Sequence, residues 1–459
     1  MVEPCENWLI KPVKSSCPWS LIFSQQISPI IQNELAKEPF PSFSHLISLN
    51  IPATPETLEF PVIAVYIAEP QSVDRVYDKL YQVIRYDGRF NEYILSVADG
   101  SYDDYGTTDH ERSLETKYYA FAQSGVSIGY IKGAATGGAV LKSDIGEYYT
   151  MTAAHLFQEE VVDNTGKITK AVKQNAKGCV ITQPAYQDYV AEKRSMERYL
   201  EDMDERLSIA SEAAKPIIMG KITDTETRLS ELIKMTDGMD AFQQSAEYAV
   251  VEKSRYGAGD FNGRKVAYDY ALAKITNRSV DASLFAWRRP PEPESGQLQQ
   301  LDWSNSALES FGPLTYDLEV WKRGRETGVT YGLVAGTLGV KVNVGGEVTQ
   351  EYWVLQDSTF VDWKAFAAPS DSGALVVSRE GVGCGMVLGS WMTFGRAFKL
   401  PVDQNTKLWD LKRFADLRQD DSSFDLSMAM SQLCHRGVII VCDITSVIAD
   451  SGMQLSPVT

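Results

Sequence analysis

Six cysteines in 459 residues, Cys5, Cys17, Cys179, Cys384, Cys434 and Cys442, are too scattered for the dense disulfide framework of a small secreted domain. No Cys-x-x-Cys occurs, and Cys434-His435 lacks a second ligand pair at zinc spacing, so no metal site is expected. No Gly-x-x-x-x-Gly-Lys-Ser/Thr loop is present, which leaves nucleotide hydrolysis without support, and no cofactor is expected. Positive charge is short as well. The formal net charge is −17 and the pI about 4.8, so the chain repels a polyphosphate backbone and nucleic acid is not an expected partner. No apolar run approaches the roughly 20 residues that span a bilayer. The best, Val438 to Cys442 with Ile444 beyond, is far shorter, so no membrane span is expected. The opening after Met1, Val-Glu-Pro-Cys-Glu-Asn, lacks the basic and apolar segments of an export signal, so reduced thiols and a cytoplasmic location are expected.

What is there is ordinary globular material, with 44% hydrophobic and 23% charged residues. The length predicts a main domain with additions. The first ~50 residues show no clear apolar period and read as an irregular arm. A strand over 62–67, a helix capped by Ser72 with Val73, Val76, Tyr77, Leu80, Val83 and Ile84 on one face, and a strand over 93–97 make a small α+β unit. An Asp/Gly/Tyr-rich linker from Asp99 to His110 ends it. Beyond Lys117 short β-like runs at 126–131, 138–141 and 148–151 open an all-β region. Between 183 and 253 it is interrupted by a charged segment in which Met196, Leu200, Met203, Leu207 and Ala210 recur at helical spacing. A second helix is expected from the Thr223-x-x-Glu226 capping signal, making the insert a helical hairpin. Pro290-Pro291-Glu292-Pro293 reads as a linker, and the runs 340–344 and 348–355 around Gly345-Gly346 as a hairpin in a second β block.

Acyl transfer by a serine needs an exposed hydroxyl, an imidazole to take its proton, a carboxylate to orient that imidazole, and amide donors for the oxyanion. Thr152-Ala153-Ala154-His155 follows an apolar strand, placing His155 where the strand runs into a loop. Asp269-Tyr270-Ala271-Leu272-Ala273-Lys274-Ile275 alternates like a half-buried strand with the carboxylate at its mouth. Ser370-Asp371-Ser372-Gly373-Ala374 stands before an apolar run. An Asp-Ser-Gly tripeptide alone arises by chance in about 6% of chains this long, so it counts only with the other two. The remaining histidines, His45, His110 and His435, lie outside these motifs.

In this order the motifs resemble those of the trypsin-like serine peptidases, particularly the intracellular, disulfide-free fungal and bacterial types. The likeness runs over residues 125–414 without the helical insert. It rests on Gly137-Gly138-Ala139-Val140, Thr152-Ala153-Ala154-His155, Asp269-x-Ala271-Leu272 and Asp371-Ser372-Gly373. Lys322-x-Gly324-Arg325-x-Thr327-Gly328-x-Thr330-x-Gly332 also looks like the opening strand motif of the family's second barrel. The resemblance implies His155 as general base, Asp269 as its orienter and Ser372 as nucleophile, with the amides of Ser370 and Ser372 forming the oxyanion hole. Phe366, six residues before the nucleophile, falls where the family forms the base of its specificity pocket. Leu156 and Ala368 stand where family cysteines would be.

Two departures accompany the likeness. Ser370 replaces the family glycine whose backbone conformation points its amide into the oxyanion hole. No Ile-Val-Gly-Gly-like start precedes the first barrel to supply a buried N-terminus for Asp371. The expected fold is mainly β: a two-barrel trypsin-like fold with a helical insert and an N-terminal α+β unit. Its divisions are 1–110 for the arm and α+β unit, 111–290 for the first barrel with its insert at 183–253, 291–418 for the second barrel and 419–459 for a C-terminal tail. The expected function is an intracellular serine endopeptidase acting on protein or peptide substrates. The alternative is a pseudopeptidase that serves as a regulatory scaffold, with a regulatory protein held by the N-terminal unit or the insert.

Overall fold

The computed structural model describes residues 13–37, 42–52, 59–86, 90, 93–103, 122, 124–131, 133–162, 168–173, 175–233, 239–280, 308, 310–343, 347–356, 366–399 and 438–458. The protein is mainly β. Among these residues no helix is long and apolar enough to cross a membrane.

The N-terminal stretch read as irregular is helical: α1 (Pro18–Ile22), a π-helical turn (Phe23–Ile27) and α2 (Ser28–Ala36). Phe23, Ile27, Ile31 and Leu35, four residues apart, are all buried along one side. They share a core with Val73, Val76, Tyr77, Leu80 and Ile84 of a later helix, so packing rather than local propensity fixes this segment. β1 (Ser42–Pro52) runs antiparallel to β2 (Glu59–Ile67), and β2 runs parallel to β3 (Ile94–Asp103), with α3 (Val73–Tyr86) as the crossover. Ser72 does not cap α3; it closes a short 3-10 turn, and its hydroxyl donates to Glu69. β3 continues through Asp99, where a linker was expected, because Ser390 to Lys399 of a distant strand pairs along it.

The first β group comprises β4 (Val126–Tyr130), β5 (Gly133–Gly137), β6 (Val140–Ser143), β7 (Tyr148–Thr152), a separate hairpin of β8 (Gln158–Val162) and β9 (Ile168–Val172), and β10 (Val180–Thr182). Three helices follow: α4 (Tyr186–Ile209), α5 (Lys215–Ile233) and α6 (Met239–Ser245). The long hairpin β11 (Glu247–Phe261) and β12 (Arg264–Ile275) completes the group. Pairing runs β5-β4-β10-β11-β12-β7-β6. Of the helical stripe only Met196 and Met203 are fully buried, with Tyr189, Leu232 and Phe242 beside Met196. α5 begins eight residues before Thr223. That threonine sits inside the helix with its carbonyl bonded to the Thr227 hydroxyl, and the start is set by Pro216 in the first turn, where its missing N–H costs nothing.

The second group holds β13 (Ser310–Phe311), β14 (Glu319–Gly324), β15 (Gly328–Val334), β16 (Gly339–Asn343), β17 (Val348–Gln356), β18 (Leu375–Ser378), β19 (Val382–Lys399), β20 (Val438–Asp443), α7 (Ile444–Ser451) and β21 (Leu455–Pro457). The pairings β14-β15-β17-β20-β19-β18 return to β14 and close a ring. The segment expected as a tail therefore supplies ring strand β20, and β21 pairs with β6 of the first group. Its apolar run Val438-Ile-Ile-Val-Cys442 is a strand because both edges find partners. The N-terminal sheet is likewise continuous with this group through β1–β16 and β3–β19. The Pro290–Pro293 linker, the Gly345-Gly346 turn, His110 and His435 lie outside the described residues.

Candidate functional site

β12 was expected to be half buried with Asp269 at its mouth. Instead Asp269 lies mid-strand, and residues 268–273 are buried on both faces. Tyr268, Tyr270 and Leu272 enter one core cluster, Ala271 and Ala273 another, because β12 is sandwiched between two packed layers. β7 pairs with it through Ala271 and Thr152, then leaves the sheet. A single 3-10 turn, Ala154–Leu156, swings His155 back over Asp269. The His155 backbone N–H donates to Asp269 Oδ1 at 2.9 Å, and His155 Nδ1 lies 2.5 Å from Oδ2. An ionised carboxylate only accepts, so Nδ1 carries the proton and Nε2 keeps its lone pair. Both side chains are buried.

Ser372 sits in a tight turn of the second group ahead of β18. Asp371 N–H donates to the Ala368 carbonyl and Ala374 N–H to the Asp371 carbonyl, each at 3.0 Å. The turn presses on the first group: Thr136 N–H donates to the Ser372 carbonyl at 3.0 Å. A Cβ on Gly138 would overlap the Gly373 carbonyl oxygen. A Cβ on Gly373 would lie 2.5 Å from the Thr136 carbonyl oxygen and 3.0 Å from Ala153 N. The backbone carrying Ser372 is thus stacked on the strand end that carries His155, and only glycine at both positions allows it. The turn and the imidazole come from different groups, so the site lies where the two meet.

The oxyanion candidate has a cost visible in its backbone. Ser370 is buried with φ +79°, the left-handed region that a Cβ disfavours by about 1–2 kcal/mol. It is held there by Thr136 Oγ1, which donates to the Ser370 carbonyl at 3.0 Å. Ser370→Gly is expected to relieve this cost and raise the rate of modification of Ser372 by a serine-directed fluorophosphonate by about fivefold, on the order of 1 kcal/mol. A rate unchanged or lower in Ser370→Gly would show that the positive φ imposes no penalty on the reacting turn.

Asp371 is fully buried and heavily bonded. Lys322 Nζ lies 2.9 Å from its Oδ2, with Thr327 Oγ1 at 2.6 Å and Ala368 N at 3.0 Å, while Glu326 N donates to Oδ1 at 2.8 Å. Lys322 also donates to Thr327 Oγ1, and both ends of the ion pair are wholly shielded from solvent. The positive partner for Asp371, sought in a freed N-terminus, is a strand lysine. Sequence reading placed Lys322 in a strand motif but missed this contact. The available signal was a lysine between Trp321 and Gly324 in a buried strand, where a charge must be paired. A second buried pair was missed as well: Arg325 Nε lies 2.7 Å from Asp188 Oδ2 in the first turn of α4, and Arg325 Nη2 meets Oδ1.

Phe366 is packed in the interior of the second group with Leu314, Val334, Val354 and Val376, and its carbonyl accepts from Thr330 Oγ1 at 2.5 Å. Cys17, Cys179, Cys384 and Cys442 are free thiols, and burial pushes those of Cys384 and Cys442 well above the usual range.

Solved structures similar to this chain include three proteases. A glutamic acid specific serine protease, described as using a novel histidine triad in substrate binding, shares 13% identity with a TM-score of 0.31, covering 73% of this chain and all of that one. Nocardiopsis protease and Thermobifida fusca protease A each share 10% identity with a TM-score of 0.32 over 73% of this chain, covering 99% and 100% of theirs. No protein-family model and no curated protein matches. At those TM-scores the likenesses assign no residue a role, and the chemical case stands on the site's own geometry.

Proposed function

We propose that the protein is a serine endopeptidase of the two-barrel trypsin-like type, with His155, Asp269 and Ser372 as its triad. The observation that carries this reading is the double grip of Asp269 on His155, through backbone N–H and ring Nδ1, beside a glycine-flanked serine turn. A carboxylate that fixes both the position and the tautomer of an imidazole makes Nε2 the basic nitrogen of the ring. In the reaction the Ser372 Oγ attacks the scissile carbonyl while its proton passes to His155 Nε2, and the oxyanion is taken by the amides of Ser370 and Ser372. Collapse breaks the C–N bond, with His155 returning the proton to the leaving amine. Water then repeats the sequence on the acyl ester, releasing the acid and restoring Ser372. Asp269 stays ionised throughout and stabilises the imidazolium.

Phe366 brings no carboxylate to the specificity position, so cleavage after apolar or small residues is the reading for substrates. Free thiols throughout the described residues fit a reducing, intracellular setting.

The cost that a Cβ adds to Ser370 at its left-handed φ is the observation behind a second reading, a pseudopeptidase in which that glycine-like peptide orientation is not kept and the oxyanion hole is unproductive. A fluorophosphonate probe separates the two. Attack by an activated Ser372 forms a P–O bond and expels fluoride, whereas an unactivated serine stays unmodified. Stoichiometric labelling of the wild type, lost in Ser372→Ala, is the expected result. No labelling of either the wild type or Ser370→Gly, where a known serine peptidase labels fully, would establish the pseudopeptidase.

A further inference from the structure

We propose that the first turn of the helical insert positions the oxyanion peptide, through the relay Asp188–Arg325–Thr136–Ser370, so that the insert governs the reactivity of Ser372. The inference rests on the peptidase reading above and adds to it a route of control.

Arg325 opens the three-residue turn between β14 and β15, whose ends close through Gly324 and Gly328. That turn is gripped from two sides. On one, Asp371 takes the Glu326 N–H and the Thr327 hydroxyl. On the other, Asp188 of α4 takes the Arg325 guanidinium in a bidentate ion pair, each side chain at most 4% exposed. Asp188 is itself fixed to the first β group by the Ser127 hydroxyl, which also accepts from Ala185 N–H at 3.1 Å just ahead of α4. From the clamped turn the Arg325 backbone N–H donates to Thr136 Oγ1 at 3.0 Å, and that hydroxyl donates to the Ser370 carbonyl at 3.0 Å.

A hydroxyl has one proton. With one lone pair engaged by Arg325 N–H, the Thr136 proton is directed at Ser370. If Arg325 moves, the hydroxyl is released to turn elsewhere, and the Ser370 carbonyl loses the bond that offsets its left-handed φ. The Pro369–Ser370 peptide, whose N–H is the proposed oxyanion donor, is then free to rotate away. Asp188 and Arg325 are a bidentate, desolvated pair, so the link is stiff and breaking it is costly. The remainder of the insert projects from this anchor as α4 and α5, a lever whose displacement is felt at Asp188. Asp188, Arg325 and Thr136 are positioning residues; none is required to touch substrate.

The test uses Asp188→Asn, Thr136→Val and Thr136→Ser in the full chain, with two readouts. Hydrogen–deuterium exchange of the segment 367–373 reports the relay whether or not the protein is an active enzyme. Fluorophosphonate kinetics report its consequence. Thr136→Val is expected to speed exchange in 367–373 and to lower the maximal labelling rate about a hundredfold, as for a lost oxyanion donor, with the probe's half-saturation concentration little changed. Thr136→Ser, which keeps the hydroxyl, is expected to recover most of both. Asp188→Asn is expected to reproduce the effect at about tenfold, the scale of a typical coupling between sites. Should Asp188→Asn fail to fold, Thr136→Val against Thr136→Ser still decides the Thr136–Ser370 link, and Arg325→Lys, which keeps the charge but loses the fork, decides the Asp188 link. Unchanged exchange at 367–373 in Thr136→Val and in the Asp188 or Arg325 variant overturns the proposal. Failure of the wild type to label, with exchange responding as expected, overturns the peptidase reading and leaves the relay standing.

Discussion

Asp269→Asn is expected to lower the fluorophosphonate labelling rate by about four orders of magnitude while leaving the fold intact. The size follows from how the carboxylate is shared. Oδ1 accepts the His155 backbone N–H at 2.9 Å, so the amide oxygen of an asparagine will occupy that position. Its NH2 group must then face Nδ1 at the place where Oδ2 now lies 2.5 Å away. A donor facing Nδ1 forces the ring proton onto Nε2, the atom proposed above to take the proton from Ser372. The imidazole stays in place but in the wrong tautomer. The check is the labelling rate measured alongside a thermal melt. A loss below tenfold, with the melt unchanged, would show that Asp269 does not set the tautomer of His155.

Lys322→Met is expected to carry the second large effect, on stability and reactivity together. Removing one end of a wholly buried ion pair leaves the Asp371 carboxylate without its counter-charge, a loss of about 3–5 kcal/mol. In a protein of this size that is a fall of roughly 3–5 °C in melting temperature. Asp371 is flanked by Ser370 and Ser372, so a carboxylate seeking solvent drags the reacting turn with it, and labelling should fall at least tenfold. Lys322→Arg retains the charge and is expected to label better than Lys322→Met. A Lys322→Met protein that melts and labels like the wild type would show that the backbone N–H groups around Asp371 suffice.

The parts of the site that sequence made legible are those where chemistry requires particular residues in a particular order. His155 and Asp269, 114 positions apart, can be named as partners only because acyl transfer needs both, and the structure brings them to hydrogen-bonding distance. The α3 face was legible for a different reason: Val73, Val76, Tyr77, Leu80 and Ile84 follow the helical period with polar residues between them. Phe23, Ile27, Ile31 and Leu35 carry a period too, but Pro18 and Pro29 and the serines among them mask it, and a distant core decides the matter. α7 was missed although Asp443 caps it through Thr445 N–H at 2.8 Å and Gly452 ends it with φ +65°. Lys322–Asp371 and Arg325–Asp188 could not be read as pairs. The partners are 49 and 137 residues apart, and no chemical rule says which buried acid a given base will meet.

The order in which the chain is made gives strand β20 a further importance. His155, Asp269 and Ser372 are all synthesised before it, yet the ring holding Ser372 closes only when Val438–Asp443 slots between β17 and β19. Until that segment emerges, β17 and β19 present open edges and the serine turn has no finished wall behind it. Strand β21, later still, then fastens the second group to the first through β6. A growing chain on the ribosome therefore carries all three candidate residues without the frame that holds the serine turn. On the peptidase reading proposed above, the chain stays without a finished site until synthesis has passed β20.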